Sequence, residues 1–376
     1  MRACETGNIA IVKCVLDKVD HNLIDFKAVI RKLYEYCNNH KNERSLRIFK
    51  VIVENVDWKQ LDMKKVMNLA CTLNSLYTVE CILEKVDHKL LDMKIAMSEA
   101  SEAGNTDIVK YILDKLDHNL IDFKDVIRKL YEYCNNHRNE SISLVLKVLV
   151  ENVDWKQLDM KTVMNLACTL NSLYTVECIL EKVDHKLLDM KSGMIQACKT
   201  GNTDIVEFIL DKVDHKLLNM KRVMIRACEA GNTDIVKCVL DKVDHHLIEF
   251  KDVISNLYEY CSNHRNKSSF LVLQVLVENV DWKQLDMKTV LNLVCKLNSL
   301  YTVECILYKV DHKLLDINSA IIQACEAGNT DIVKCILVRV DHNLIEFMDV
   351  LNEFYGYCKN YNYERLLLIL KVIVEM

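Results

Sequence analysis

A short motif recurs along the chain at two fixed spacings and limits the folds that the chain can adopt. The motif is a Val-Asp or Leu-Asp pair followed by His or Trp, and consecutive copies lie 30 or 37 residues apart. Periods of this length predict stacked repeats, in which each unit buries its apolar face against its neighbours. We therefore expect residues 1–376 to form a single continuous array of about twelve units, with both terminal units truncated. The landmark aspartates are Asp20, Asp57, Asp87, Asp117, Asp154, Asp184, Asp214, Asp244, Asp281, Asp311 and Asp341.

The unit between Asp189 and Asp214 predicts two antiparallel helices. Apolar residues in 190–198 follow a 3.6-residue period, and a second stripe of this kind runs through 205–213. Asp189 stands at the N-cap position of the first helix, and Gly201 follows its last turn. Two such short helices enclose almost no interior, so neighbouring units must stack to form a core.

Left-handed backbone is expected where the first helix of each unit ends. Five of the 7 glycines occupy this position, and Asn replaces Gly in the units that carry Trp. Gly adopts this conformation most readily, and Asn ranks second among the residue types. The residues predicted to be left-handed are Gly7, Gly104, Gly201, Gly231, Gly328, Asn74, Asn171 and Asn298.

Composition supports an all-α fold. The 376 residues include 7 Gly and no Pro, whereas sandwiches, barrels and propellers need both residues in their turns. Apolar residues make up 51% of the chain, which is enough for a core. We predict an α-solenoid of stacked antiparallel helix pairs, with 30- and 37-residue units. Seven extra residues in the long units are expected to form a longer polar loop between the two helices, as in 134–143.

Charge and hydropathy predict a protein of the cytoplasm. The net charge of -5 provides no basic surface for nucleic acid or for anionic membranes. The longest apolar runs fall far short of a membrane span, and the first residues contain no apolar signal segment. We therefore expect a soluble, unsecreted chain with no nucleic-acid or membrane partner.

The landmark motif invites a search for a metal site or a catalytic dyad, because His follows Asp in most copies. Each unit supplies one His, however, and copies in a solenoid lie about 10 Å apart, whereas zinc binds four ligands within about 2.3 Å. Trp replaces His in three copies, and no nucleophile accompanies the pair. We expect a structural role for these histidines. Phosphate-binding loops and protease motifs are missing from the sequence, so we predict no enzymatic activity and no metal or other cofactor.

The 17 cysteines predict buried thiols. Many recur ten residues apart, one on each helix of a pair and on or beside the apolar stripes, and no CxxC motif occurs. Buried, reduced side chains in a reducing compartment fit this pattern. Disulfides or metal sites are the alternative.

Three segments resemble the centre of an ankyrin repeat. In these segments a pair of small residues ends one helix, Gly makes the turn, and an Ile-Val-Lys/Glu helix follows. The chain departs from the family in its period, in the absence of a Thr-Pro-Leu-His start and in its short linkers, so the β-hairpin fingers are expected to be reduced or absent. The wording VDHKLLDMK is also similar to the ankyrin-like arrays of invertebrate STAND-type sensors. The segments are Ala197–Leu210, Ala227–Leu240 and Ala324–Leu337.

The ankyrin resemblance implies a scaffold that binds a protein partner on its concave face and one loop edge. The alternative is a sensing or autoregulatory array of a larger STAND-type NTPase receptor. Aromatic residues in the linkers and in the long loops are the candidate contacts, since large rigid side chains dominate binding hot spots. The tryptophans could instead pack over the neighbouring unit, and the long loops could be solvated spacers. The candidates are Trp58, Trp155, Trp282, Tyr133, His137, Tyr260 and His264, with Tyr36 and His40 at the equivalent place in the first long unit.

Overall fold

The computed structural model is helical throughout the residues that it describes, which are 8–39, 43–137, 140–264, 268–358 and 371. These ranges hold 22 α-helices and no strand, which confirms the all-α prediction. The chain divides into two compact units, Met1–Gly193 and Met194–Met376.

The first compact unit contains alternating first and second helices of the repeats. Even-numbered helices are first helices, and odd-numbered helices are second helices. They are α1 (Ile9–Lys18), α2 (Phe26–Asn39), α3 (Glu43–Asn55), α4 (Met63–Thr72), α5 (Leu76–Lys85), α6 (Met93–Glu102), α7 (Thr106–Lys115), α8 (Phe123–Asn136), α9 (Ser141–Asn152), α10 (Met160–Thr169) and α11 (Leu173–Lys182).

The second compact unit continues the same alternation, and α12 (Met190–Thr200) contains the boundary. Its helices are α13 (Thr203–Lys212), α14 (Met220–Ala230), α15 (Thr233–Lys242), α16 (Phe250–Asn263), α17 (Ser268–Asn279), α18 (Met287–Lys296), α19 (Leu300–Lys309), α20 (Ile317–Ala327), α21 (Thr330–Arg339) and α22 (Phe347–Cys358).

Within each compact unit, equivalent helices pack on one another. The first helices α4, α6 and α8 contact in that order, and so do α16, α18 and α20. The second helices α5, α7 and α9 form a layer of their own, as do α13 and α15. This two-layer stacking is the solenoid architecture that the periodicity predicts.

Each repeat is joined to the next by a 3₁₀ turn that begins at the residue after the landmark Asp. In a representative linker the turn is His215–Leu217, and Asp214 Oδ1 accepts a hydrogen bond of 3.0 Å from the backbone N–H of Lys216. The following first helix is capped by Asn219, whose Oδ1 accepts from the N–H of Arg222 at 3.1 Å. Among the described linkers none contains a strand, so hairpin fingers are absent there, as the short linkers predict.

The left-handed turn between the helices of a pair is confirmed. Gly231 has φ +69° and Gly104 has φ +75°, while Asn74 and Asn171 have φ +55°. The remaining predicted positions, Gly201, Gly328 and Asn298, are also left-handed, and Gly7 lies outside the described residues.

The prediction that the long units differ only by a longer loop is wrong. Helix α8 has 14 residues and α9 has 12, whereas α14 and α15 of a short unit have 11 and 10. The apolar stripe explains the difference, because Leu130 and Cys134 are both buried and carry the stripe of α8 one turn further. Most of the insertion therefore lengthens the packed helices.

None of the described helices combines the length and the apolar character that a bilayer crossing requires.

Candidate functional site

The landmark histidines satisfy carbonyl groups at the ends of the second helices. The last four carbonyls of a helix have no partner within it. His215 Nε2 lies 2.9 Å from the carbonyl oxygen of Leu210, five residues earlier, and since a carbonyl only accepts, Nε2 must carry the proton. The landmark histidines therefore have a structural role, as predicted. The same bond forms at His21, His88, His118, His185, His245, His312 and His342.

Tryptophan makes the equivalent bond where it replaces histidine. Trp155 Nε1–H donates to the carbonyl oxygen of Val150 at 2.8 Å, again five residues earlier. The five-membered ring of indole places Nε1 as many bonds from Cβ as Nε2 is in imidazole, so both rings reach the same acceptor. Trp58 and Trp282 make this bond at 3.1 and 2.8 Å.

Each tryptophan also contacts a lysine of the following second helix. Lys182 Nζ lies 5.2 Å from the ring centroid of Trp155, within the range of a cation–π interaction. Lys85 and Lys309 lie 5.5 and 5.2 Å from the rings of Trp58 and Trp282. The three rings are half-buried. Each tryptophan thus joins the end of its own second helix to the next repeat and leaves part of the ring accessible.

The predicted tyrosine and histidine residues of the long units form stacked pairs. Tyr133 and His137 have ring centroids 4.5 Å apart with planes at 18°, and His137 Nδ1 lies 3.3 Å from the carbonyl oxygen of Tyr133. Tyr260 and His264 repeat this geometry at 4.6 Å and 18°. Both histidines are exposed and both tyrosines are half-buried. His40, in the first long unit, lies outside the described residues.

Burial and a neighbouring carboxylate disfavour ionisation of Tyr133. Its pKa is raised above the ordinary value chiefly by desolvation and further by Glu102. A phenol is neutral at pH 7 without this shift, so the raised pKa only extends to higher pH the range in which Tyr133 can donate a hydrogen bond.

The structure separates the candidate residues into two groups. The tryptophans precede the first helices, whereas the Tyr–His pairs lie at the C-terminal ends of first helices, with each Tyr in the last turn and each His as the C-cap, and not in long loops as expected. A 14-residue helix such as α8 is about 21 Å long, at 1.5 Å per residue. Trp155 and Tyr133 therefore lie near opposite ends of the helix pairs. Within the first compact unit the aromatic residues therefore lie on two separate surfaces.

The prediction of buried thiols holds for the first helices but is wrong for the second helices, where the cysteines lie beside the apolar stripe: Cys14 is exposed, and Cys81, Cys178, Cys238, Cys305 and Cys335 are half-buried. Burial suppresses the reactivity of the first-helix cysteines. It raises the pKa of Cys134 to about 11 and that of Cys198 to about 12, and it also raises the pKa of Cys228. Thiolates, not thiols, are the nucleophiles and metal ligands, so these groups are inert at neutral pH. Within the described residues no group of three or more His, Cys, Asp or Glu side chains is placed to hold a metal ion.

A polar junction on the first-helix layer was not predicted from the sequence. Glu99 of α6 accepts a hydrogen bond of 2.9 Å from the hydroxyl of Thr72 on α4, and another from the hydroxyl of Tyr34 on α2. Lys65 Nζ lies 4.5 Å from the ring centroid of Tyr34. These residues are up to 65 positions apart in the sequence, and only the stacking of three first helices brings them together.

Comparisons with known proteins identify no family. No family model matches the chain, and no curated protein matches it. One solved structure that aligns with it is a circular tandem repeat protein with novel repeat topology and enhanced subunit contact surfaces. The alignment covers 100% of this chain and 92% of that one, with 13% identity and a TM-score of 0.27. Because the two structures superpose so loosely, nothing about this chain is inferred from the match.

Proposed function

We propose that the chain is a divergent ankyrin-like scaffold of the cytoplasm that binds a protein partner and catalyses no reaction. The observation that carries this proposal is the recurrence of aromatic side chains in the same setting in several repeats. Half-buried tryptophans, each beside a lysine, lie at one end of the helix pairs, and stacked Tyr–His pairs lie at the other. Rigid aromatic residues at the edge of a repeat array are typical of protein recognition.

The chemistry of the tryptophans defines what a partner would contact. The indole N–H is already bonded within the chain, so a partner would meet the apolar part of the ring and the adjacent ammonium group. Trp58 and Trp155 repeat this surface within the first compact unit. Two similar surfaces favour a partner with repeated binding segments, because the second contact then forms at high effective concentration.

The absence of enzymatic activity and of cofactors is part of the proposal. The protonated first-helix thiols support it, since a thiol is neither the nucleophile nor the metal ligand that a thiolate is. The cytoplasmic location is supported by 17 cysteines without a CxxC motif. Hydrolase and nucleotide-turnover assays on the purified chain should give no signal.

The decisive experiment uses a substitution that occurs naturally at the equivalent position of other repeats. Purified protein serves as bait, the bound partner is identified and purified, and its affinity is compared for wild type and for Trp155→His. Histidine preserves the bond to Val150, as it does in other units, but removes the larger indole surface. We expect affinity to fall by tenfold or more, which corresponds to about 1.4 kcal/mol, while the fold stays the same. Unchanged affinity would show that Trp155 does not belong to the interface.

The sensor alternative rests on the wording VDHKLLDMK, which several linkers share with slight changes. In that case the array would regulate an NTPase domain elsewhere in the same polypeptide. The flanking sequence of the full gene tests this, because a P-loop domain upstream would favour the sensor.

A further inference from the structure

One position of the repeat changes character in the last two second helices that the structure describes. It lies three residues before the landmark Asp, near the end of the second helix. Tyr308 and Val338 occupy it in α19 and α21. An acidic residue occupies it in the nine other units that carry a landmark Asp: Asp17, Glu54, Glu84, Asp114, Glu151, Glu181, Asp211, Asp241 and Glu278.

The two exceptional side chains are strongly exposed. Tyr308 is 83% and Val338 is 69% accessible to solvent. They occupy equivalent positions on second helices that pack against each other. The acidic residues at this position in the other units are all exposed, so no packing requirement explains an apolar residue here.

The same change alters the charge pattern. At the equivalent positions of α13 and α15, Lys242 Nζ bonds two carboxylates, Glu207 Oε1 at 2.9 Å and Asp211 Oδ1 at 2.7 Å. The residues 97 positions later are Arg339, Glu304 and Tyr308.

Of the two carboxylates, only the equivalent of Glu207 remains. Arg339 bonds Glu304 at 2.9 Å, and Tyr308 stands in place of the second acid. The Arg339 side chain is 45% exposed. The local surface has therefore lost two negative charges, kept its cation and gained two apolar groups.

We propose that Tyr308, Val338 and Arg339 form a docking site, here called the C-terminal patch, for a partner segment that carries an apolar side chain next to a carboxylate. The apolar side chain covers Tyr308 and Val338. The carboxylate takes the place at Arg339 that Asp211 holds at Lys242. Charge complementarity favours an acidic partner over a basic one. The C-terminal patch consists of residues other than those of the Trp and Tyr–His surfaces and does not depend on their role, although Lys309, which follows Tyr308, contacts the Trp282 ring.

The test restores the pattern of the other repeats. Tyr308→Glu with Val338→Asp introduces residues that nine equivalent positions already carry, so the variant should fold. Phage-displayed random peptides are selected on wild-type protein, and the recovered peptides are synthesised and titrated by fluorescence polarisation. We expect enriched peptides with an aromatic or aliphatic residue next to Asp or Glu, and binding at least tenfold weaker to the double variant. Added salt should also weaken binding, because the ion pair at Arg339 is exposed.

Two control variants test whether peptide binding depends on the C-terminal patch alone. Trp155→His should bind the selected peptides as wild type does, so a failure of the proposed Trp surface would leave this result unaffected. Glu84→Tyr with Asp114→Val places the patch on α5 and α7, where Glu80 and Lys115 are the equivalents of Glu304 and Arg339. This transplant should add a second binding site.

Three outcomes would overturn the proposal. The first is that no selected peptide depends on Tyr308 and Val338. The second is enrichment of basic peptides in place of acidic ones. The third is self-association of the wild-type chain in analytical ultracentrifugation that the double variant abolishes, because the occupant would then be a second copy of the chain.

Discussion

Trp155 donates its indole N–H to the carbonyl oxygen of Val150, the residue five positions earlier, at 2.8 Å. This bond is equivalent to the one that His215 makes with Leu210. Two residues that differ greatly in size and polarity thus share one task, which is to complete the hydrogen bonding at the end of a second helix. That task explains why the residue after each landmark Asp is either His or Trp.

Removing the donor from this position should destabilise the fold. His215→Phe keeps an aromatic ring but leaves the Leu210 carbonyl without its side-chain donor, at a cost of about 1 kcal/mol in the free energy of unfolding. His215→Trp restores the donor and should be the more stable variant, although indole is larger. Urea denaturation of both proteins checks this. If the Phe variant were as stable as wild type, the bond would contribute nothing.

The landmark aspartates should stabilise the linkers as caps. Asp214 accepts from the N–H of Lys216 at 3.0 Å, and Asp214→Ala removes that acceptor. We expect a loss of about 1 kcal/mol, the usual value for a helix cap. Asp214→Asn keeps an oxygen in place and should recover most of the loss in the same denaturation assay. An equal loss in both variants would assign the effect to charge.

Left-handed glycines should differ in their tolerance of a side chain. Both Gly201 and Gly231 have positive φ, so alanine at either is strained by roughly 1–2 kcal/mol. At Gly231 a Cβ would also clash with Cβ of Ser268, whereas at Gly201 the nearest atom is Nδ2 of Asn232 at 3.1 Å. Gly231→Ala should therefore lower the melting temperature more than Gly201→Ala does. The reverse order would contradict the packing at Ser268.

Buried thiols should make the fold sensitive to alkali. Burial raises the pKa of Cys198 in the folded state to about 12, from an ordinary value of 9.0. Below pH 9 the thiol is protonated in both states. Above it the unfolded thiol ionises first, so stability falls between pH 9 and 12. Denaturation midpoints across this range should decline less steeply for Cys198→Ala than for wild type. Parallel curves would show that other groups cause the decline.

Local features of this protein were predictable from its sequence. The helix pairs, the left-handed conformation of Gly231 and Asn74 and the capping role of Asp189 all rest on interactions within a few residues along the chain. The repetition then propagates each local rule through the array. Sequence also identified the aromatic candidates, and the structure brings Tyr133 together with His137 because they are one helical turn apart.

Features that depend on the path of the backbone between elements were not predictable. The insertion in the long units was expected to form a loop, but packing of Leu130 and Cys134 against neighbouring helices makes it helical.

Only the tertiary structure could show that Thr72 bonds Glu99. It also places Trp155 and Tyr133 at opposite ends of the helix pairs. Finally, it shows that Tyr308 occupies the place where a second carboxylate would contact Arg339. Each of these relationships joins residues of different helices. Sequence periodicity determines which residues of a helix share a face, whereas stacking determines what that face meets.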